Sequence, residues 1–479
     1  ADEALFWVQM AHMDALTGAL PMAATAFAAA PFRAAVSAKV HAGAGARLAG
    51  HGPAPQRAAG KTAQAAASAL VALLAAAAGR VSGSRRSTQS ARRRLARTVR
   101  AAAAGGDLPG TTEKAIAVVS RGHPTQPKVP TWLFRQAGRH LPEYEQYKKD
   151  SGKNFLQLLE DPRDVAEVTM QPLRRYPVDA AILFSDILVV AEALGIDVEM
   201  PGGKGILVPR PLQGPEDLSR LPSLAKADTA AFVEDKLSHV IAAVRLIVET
   251  MKKEGMGSRT LIGFSAAPFT LLFYMVGGSS KKRTDAGEFW LKNHEAASKE
   301  LFSLLTAVVT EYLSAQVKAG AQALQIFEAM GEFISEENFY RWALPAMTEI
   351  AQELKRRHPT VPLMVFPRGA CYSLAALQTA GFDVVTADTG TDLGAAAKAL
   401  KEEASKTGTR IATLQGNFDP KWLRPKEGGT VEKVREEVKA MYAKMGEHSP
   451  GLIANLGEGL NGTESTELVA AFVEAVHEL

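Results

Sequence analysis

At 479 residues the chain has room for two or three average domains, or for one large α/β barrel with an appendage. Its composition is globular, 47% apolar and 22% charged, and its single cysteine, Cys371, excludes an intrachain disulfide or a cysteine-built zinc site and reads as a buried small apolar residue. The net charge of +4 hides an asymmetry: residues 1–104 hold 13 basic and 3 acidic residues while the remainder is acidic, so nothing points to nucleic-acid binding by the body of the chain.

The first 104 residues are rich in Ala, Ser, Gly and Arg and close on Arg85-Arg86 and Arg92-Arg93-Arg94-Leu-Ala-Arg97. That is the composition of an organellar transit peptide. The alternatives are a disordered basic tail or translated sequence ahead of the true start. Residues 1–107 are set apart as this low-complexity leader, and globular sequence runs over 108–479. No stretch reaches the roughly 18 apolar residues that span a bilayer. The nearest, 65–78, is Ala-dominated, so no stable membrane insertion is expected.

From residue 108 onward eight short apolar runs recur, at 129–134, 180–184, 261–264, 323–327, 363–366, 384–387, 411–414 and 452–455. Between them lie segments with helical spacing, notably 232–254, 295–318 and 337–356. Strands alternating with helices imply a parallel sheet with crossovers. Eight strands fit a single (β/α)8 TIM barrel better than an open sheet, whose Gly-x-Gly-x-x-Gly turn is absent.

In a barrel the chemistry sits where the strands end. The first run delivers Arg135-Gln136-Ala137-Gly138-Arg139, two guanidinium groups flanking a small-residue turn. Forked, always-charged donors there suit carboxylates or phosphates, although two arginines at that spacing also occur as surface ion pairs. The second run ends in Phe184-Ser185-Asp186, a carboxylate that the arginines of the neighbouring strand would keep ionised; isolated, it reads as an N-cap. After the third come Tyr274, which alone reads as core, and Gly277-Gly-Ser-Ser280, a lid-like loop. The fourth ends in Glu328-Ala329-Met330, the seventh in Gln415-Gly-Asn-Phe-Asp-Pro420 and the eighth in Asn455-Leu-Gly-Glu-Gly459. No metal-ligand cluster is apparent, Pro201-Gly-Gly-Lys-Gly205 follows a helix and reads as a loop, and Asn461-Gly-Thr463 is a glycosylation-type triplet. The sum is an arginine-lined anion pocket with one buried carboxylate and a tyrosine, suited to a polycarboxylate.

These residues resemble a known family. Arg135-Gln-Ala-Gly-Arg-His-Leu-Pro-Glu-Tyr144, Gln171-Pro-Leu-Arg-Arg175, Asp179-Ala-Ala-Ile-Leu-Phe-Ser-Asp-Ile-Leu188 and Gln415-Gly-Asn-Phe-Asp-Pro420 are similar, in order, to the uroporphyrinogen decarboxylases. The resemblance covers about 108–479. It implies a (β/α)8 barrel, usually a homodimer, that removes the acetate carboxyl groups of uroporphyrinogen to give coproporphyrinogen without a cofactor, in haem and chlorophyll synthesis. By motif, Arg135 to Arg139 would hold substrate carboxylates, Asp186 would receive the pyrrole N–H groups, Tyr274 would contact substrate, and Lys148 falls at a weaker basic match. With the leader, a plastid location is expected before a mitochondrial or cytoplasmic one.

The chain departs from that pattern at two contacts. Ala329 stands where the family has a small hydroxyl residue, and Glu458 where it has His; the segment Thr386-Ala-Asp-Thr389 also lacks the aromatic that commonly follows the Asp. A Glu beside substrate carboxylates repels by several kcal/mol at an effective dielectric of about 20 unless it is protonated or turned away. An active decarboxylase with an altered carboxylate contact is the leading expectation. A divergent paralogue, kept as a binding subunit or acting on a related substrate, is the alternative.

Overall fold

Seven of the eight apolar runs pair into one parallel sheet. The computed structural model describes residues 114–122, 129–201, 205–446 and 451–479. The leader, its arginine clusters and the 65–78 patch lie outside the described residues, as do 202–204 of the Pro201–Gly205 loop. The strands are β1 (Ala180–Ile182), β2 (Thr260–Ala266), β3 (Ala323–Glu328), β4 (Leu363–Pro367), β5 (Val384–Thr386), β6 (Thr413–Gln415) and β7 (Leu452–Ile453), and their spatial order equals their sequence order. Every neighbouring pair is parallel. Helices α1 (Ala115–Ser120), α2 (Pro162–Arg175), α3 (Ser238–Lys253), α4 (Pro268–Gly277), α5 (Glu295–Ala319), α6 (Leu344–Arg357), α7 (Leu374–Ala380), α8 (Leu393–Thr407), α9 (Val431–Met445) and α10 (Thr466–His477) supply the crossovers and the ends.

The first run, 129–134, is not a ladder strand. It makes one isolated bridge, Thr131 to Ala454, yet it closes the ring. Thr131 O accepts from Asp179 N at 2.8 Å on the β1 side, and Pro130 O accepts from Ala454 N at 2.9 Å on the β7 side. Pro130 has no N–H to give, and three of the next four backbone donors go to side chains. Thr131 N donates to Asp179 Oδ2 at 2.8 Å, Leu133 N to Gln136 Oε1 at 3.1 Å and Phe134 N to Asn455 Oδ1 at 3.0 Å. Each of these backbone donors is satisfied without a ladder, so strand geometry is not required of it.

Two expected helices are also altered. The 232–254 segment breaks at Leu237 (φ −112°, ψ 18°) into Thr229–Lys236 and α3, and both halves lie against α5. The 337–356 segment begins in a short α-helical turn, Glu336–Asn338, and widens to a π-helical turn, Phe339–Ala343, before α6. Pro345 in the first turn of α6 has no N–H for the i−4 carbonyl, which explains the widened turn.

Inside the ring the side chains stack in layers, as barrel interiors do. Trp132 Nε1 donates to Gln415 Oε1 at 2.8 Å, and Gln415 Nε2 donates to Thr386 Oγ1 at 2.8 Å and Gln325 Oε1 at 3.3 Å, all fully buried. One layer nearer the strand ends, Phe134 stacks on Phe366 (4.9 Å, 6°) and meets Phe327 edge-on at 5.7 Å, and Phe264 meets Phe327 at 5.6 Å. At the opposite end α1 is pinned over the barrel: Lys114 Nζ donates to Arg259 O and Gln322 Oε1, and Val119 O accepts from Thr413 Oγ1, each at 2.6 Å. Cys371 is half-buried rather than buried, because Asp388 N and the Pro367 carbonyl engage its Sγ at the rim.

Candidate active site

The closing segment sets the site. Immediately after Phe134 the chain turns at Arg135, whose φ of +59° lies in the left-handed region that L residues avoid at a cost of roughly 1–3 kcal/mol. The flanks hold it there: Leu460 N donates to Phe134 O at 3.1 Å, and Gln136 N to Leu133 O at 3.1 Å. Gln136 is fully buried, and its amide spans Leu133 N and Ala180 O (3.0 Å). It therefore acts as a strut between the turn and β1. Ala137 and Gly138 (φ +129°) complete the turn, and Arg139 follows half-buried.

The loop after β7 leans on both arginines. A Cβ at Gly459 would come within 2.7 Å of Arg135 Cδ, and one at Gly462 within 2.9 Å of Arg139 Cβ, so each glycine makes room for an arginine stem. This loop is tied by a buried ion pair. Arg424 Nε donates to Glu464 Oε1 at 3.0 Å, and Glu464 also accepts from Asn461 N and Gly462 N at 2.9–3.2 Å. Arg135 is reached by water from the barrel mouth and walled by protein elsewhere. Desolvation, the Arg368 guanidinium and, more weakly, Arg139 pull its pKa down, while Tyr274 and Glu458 oppose them. It remains a cation at neutral pH.

Asp186, at the end of the second run, is 4% exposed, and its Oδ1 accepts from Leu188 N at 2.6 Å. Burial raises its pKa to about 6, against the pull of that hydrogen bond and of Arg135. Tyr274, on α4, is buried within reach of the same groups. Desolvation and the Asp186 charge raise its pKa, while Ser280, Arg135 and Arg368 oppose the rise.

Glu458 is half-exposed and turned toward Arg424, with Oε1 3.7 Å from Nη2. Desolvation and the Asp419 carboxylate raise its pKa, and Arg424, Arg368 and Arg135 resist that rise. The carboxylate thus stands among three cations. Ala329 is half-buried; its N–H donates to Thr270 Oγ1 at 2.8 Å and its carbonyl accepts from Arg368 Nη2 at 2.7 Å. Beside it Glu328 is fully buried. Thr270 Oγ1 donates to its Oε1 at 2.5 Å, its Oε2 has no partner, and burial raises its pKa to about 7. Lys148 lies over the Tyr144 ring, 5.7 Å away.

Arg135, Arg139, Asp186, Tyr274, Ala329 and Glu458 therefore gather at one end of the barrel, while Gln136 is occupied within the wall. Two charged neighbours, Arg368 and Arg424, were missed from sequence. Pro367-Arg368-Gly369 directly follows an apolar run, and the strand-end rule applied to all eight runs reaches it. Arg424 lies in a Pro-rich turn with no such signal.

A family profile described as uroporphyrinogen decarboxylase (URO-D) matches residues 111–479. The chain belongs to this family. It is 40% identical over 371 residues to a uroporphyrinogen decarboxylase of Salinibacter ruber, covering 78% of this chain and 97% of that one. With those of Danio rerio and Homo sapiens it shares 39% identity, over 376 and 354 residues, covering 78% and 73% of this chain and 95% and 89% of theirs. Among solved structures, a methyltransferase from Methanosarcina mazei matches with a TM-score of 0.61 at 18% identity, covering 77% of this chain and 98% of that chain. At that identity the likeness is one of fold.

Proposed function

We propose that this chain is a uroporphyrinogen decarboxylase, converting uroporphyrinogen III to coproporphyrinogen III in tetrapyrrole synthesis. The observation that carries the reading is the buried Asp186 carboxylate, beside Arg135 and Tyr274, at the end of the barrel where an aromatic layer closes the interior. A flat apolar macrocycle suits the phenylalanine floor, its carboxylate arms suit the arginines, and its central N–H groups suit one carboxylate.

Each acetate arm is lost in a balanced sequence of bond changes. A proton adds to the pyrrole ring carbon next to the arm, leaving the ring a cation. The bond to the carboxylate breaks and CO2 departs, its electron pair forming an exocyclic C=C that discharges the cation. A proton then adds to that methylene carbon, giving a methyl group, and the ring carbon returns its proton. Per arm, one proton is taken up and one CO2 released. Asp186 stabilises the ring as positive charge develops, which a preorganised buried carboxylate does at little reorganisation cost. Arg135 and Arg139 hold carboxylate arms and fix which pyrrole faces Asp186.

The basic, Ala-rich leader supports plastid import, hence a role in chlorophyll as well as haem supply, and the family resemblance supports a homodimer. The test is anaerobic incubation of the chain with uroporphyrinogen III, then oxidation and separation of the porphyrins, beside Asp186→Ala. Coproporphyrin from wild type and not from the variant is expected. A folded wild type that removes no carboxyl groups would overturn the reading in favour of a repurposed barrel.

A further inference from the structure

Arg368 stands where no motif placed a functional group. It follows β4, and its N–H donates to Glu328 O at 3.0 Å, so the chain still runs with the β3–β4 ladder. Side chains along a strand alternate in direction, so residue 368 shares the side of Phe366. The Phe366 ring lies flat on that of Phe134, and Phe134 immediately precedes Arg135. Arg135 and Arg368 thus rise from two stacked rings, on opposite walls of the same mouth.

The guanidinium is aimed by the backbone. Nε and Nη2 clasp the Ala329 carbonyl at 3.2 and 2.7 Å, and Nη2 also meets Glu332 Oε1 at 2.9 Å. Nη1 donates to no group among the described residues. The side chain is 28% exposed, half sunk in the rim. Electrostatically, Arg368 acts on Arg135 more strongly than Arg139 does, and it also acts on Tyr274, Glu328 and Glu458. Two guanidinium groups on opposite walls of one mouth repel, and a bridging anion relieves that repulsion.

We infer that Arg368 is a third carboxylate-binding arginine, taking an acetate or propionate arm of the substrate through its free Nη1 edge opposite Arg135. Arg368 is then specificity-determining: it sets which pyrrole lies over Asp186 by anchoring an arm across the mouth from the Arg135–Arg139 turn. Its clasp on Ala329 O aims the fork, and its ion pair with Glu332 moderates the charge without occupying Nη1. The inference rests on the decarboxylase reading for the identity of the arm; carboxylate binding itself does not depend on turnover.

The test titrates wild type, Arg368→Gln and Arg368→Lys with two oxidised porphyrins, following bound-porphyrin fluorescence at low and moderate salt. Uroporphyrin carries acetate and propionate arms, and coproporphyrin propionate arms only. Arg368→Gln is expected to weaken binding about tenfold, or ~1.4 kcal/mol, and to flatten the salt dependence. Arg368→Lys should recover part of the loss, because charge returns without the fork. In steady state, KM should rise about tenfold while kcat changes less than threefold, a split that a merely structural role would not produce. A loss confined to uroporphyrin assigns an acetate arm, and an equal loss for both assigns a propionate arm. Arg356→Gln, on the outer face of α6, is the charge control.

Unchanged dissociation constants for both porphyrins in Arg368→Gln overturn the inference. If that variant does not fold, Arg368→Lys decides alone: a threefold or greater loss is expected, and wild-type affinity sinks the proposal. Wild type that binds both porphyrins but releases no coproporphyrin from uroporphyrinogen refutes the decarboxylase reading and leaves the arginine comparison standing.

Discussion

The two ends of the barrel treat charge in opposite ways. At the end where strands begin, charges are matched in place. Asp179 Oδ2 accepts from Thr131 N and pairs with His477 Nε2 at 2.9 Å. Asp383 receives Leu363 N, Lys355 and Arg410. At the end where strands finish, Arg368 and Arg139 each act on Arg135 as like charges, and Asp186 is buried with its pKa raised. The first end gains stability from its polar groups. The second holds like charges together at some loss of stability, offset by the packed interior between them, and is ready for a ligand of opposite sign.

Asp186 offers the largest break in that contrast. Its carboxylate form is the useful one, so kcat/KM should fall as pH drops through about 6 and level off above it. Stability should respond the other way. A carboxyl whose folded pKa is raised favours the fold most below its ordinary value near 4, and that contribution is lost as pH rises through about 6. Asp186→Asn should therefore abolish turnover yet stabilise the fold by roughly 2 kcal/mol at pH 7. The gain should shrink toward pH 4; thermal melts across that range measure it, and a destabilised variant at pH 7 would contradict the burial argument.

The matched end should show the reverse. Asp179→Ala strips an acceptor from Thr131 N and a partner from His477, which should cost about 2–4 kcal/mol. Chemical denaturation should register that loss, while kcat at low temperature stays within about threefold of wild type. A comparable collapse of kcat would mean that the closing segment transmits the damage to Arg135.

The smallest effect is expected at Glu458, which belongs to both behaviours: it is paired with Arg424 and faces the cationic mouth. Glu458→Gln should lower KM about two- to threefold by removing a carboxylate that competes with substrate arms. Steady-state kinetics that leave KM unchanged would place the side chain outside the substrate's reach.

Much of the architecture was legible because barrel strands are short apolar runs at regular spacing, each ending in small or polar residues. The Arg135–Arg139 turn and Asp186 were legible for the same reason: a charged group directly after a buried run sits at the barrel mouth, where packing of the interior does not call for it. The broken 232–254 helix was not, since Leu237 preserves the helical pattern of apolar positions and the break shows only in its backbone dihedrals.

What the sequence by itself determined is the order of elements, the family and the residue types available at the strand ends. Only the tertiary structure decided how the ring closes, because Pro130 and three side-chain acceptors replace a ladder that local pattern predicts. It also decided that Gln136 faces inward as a strut, that Glu458 turns to Arg424, and that Arg368 rises opposite Arg135. The physical reason is common to all four. A side chain's role depends on which donors, acceptors and charges stand across from it, and in a closed barrel those come from residues far away in the chain.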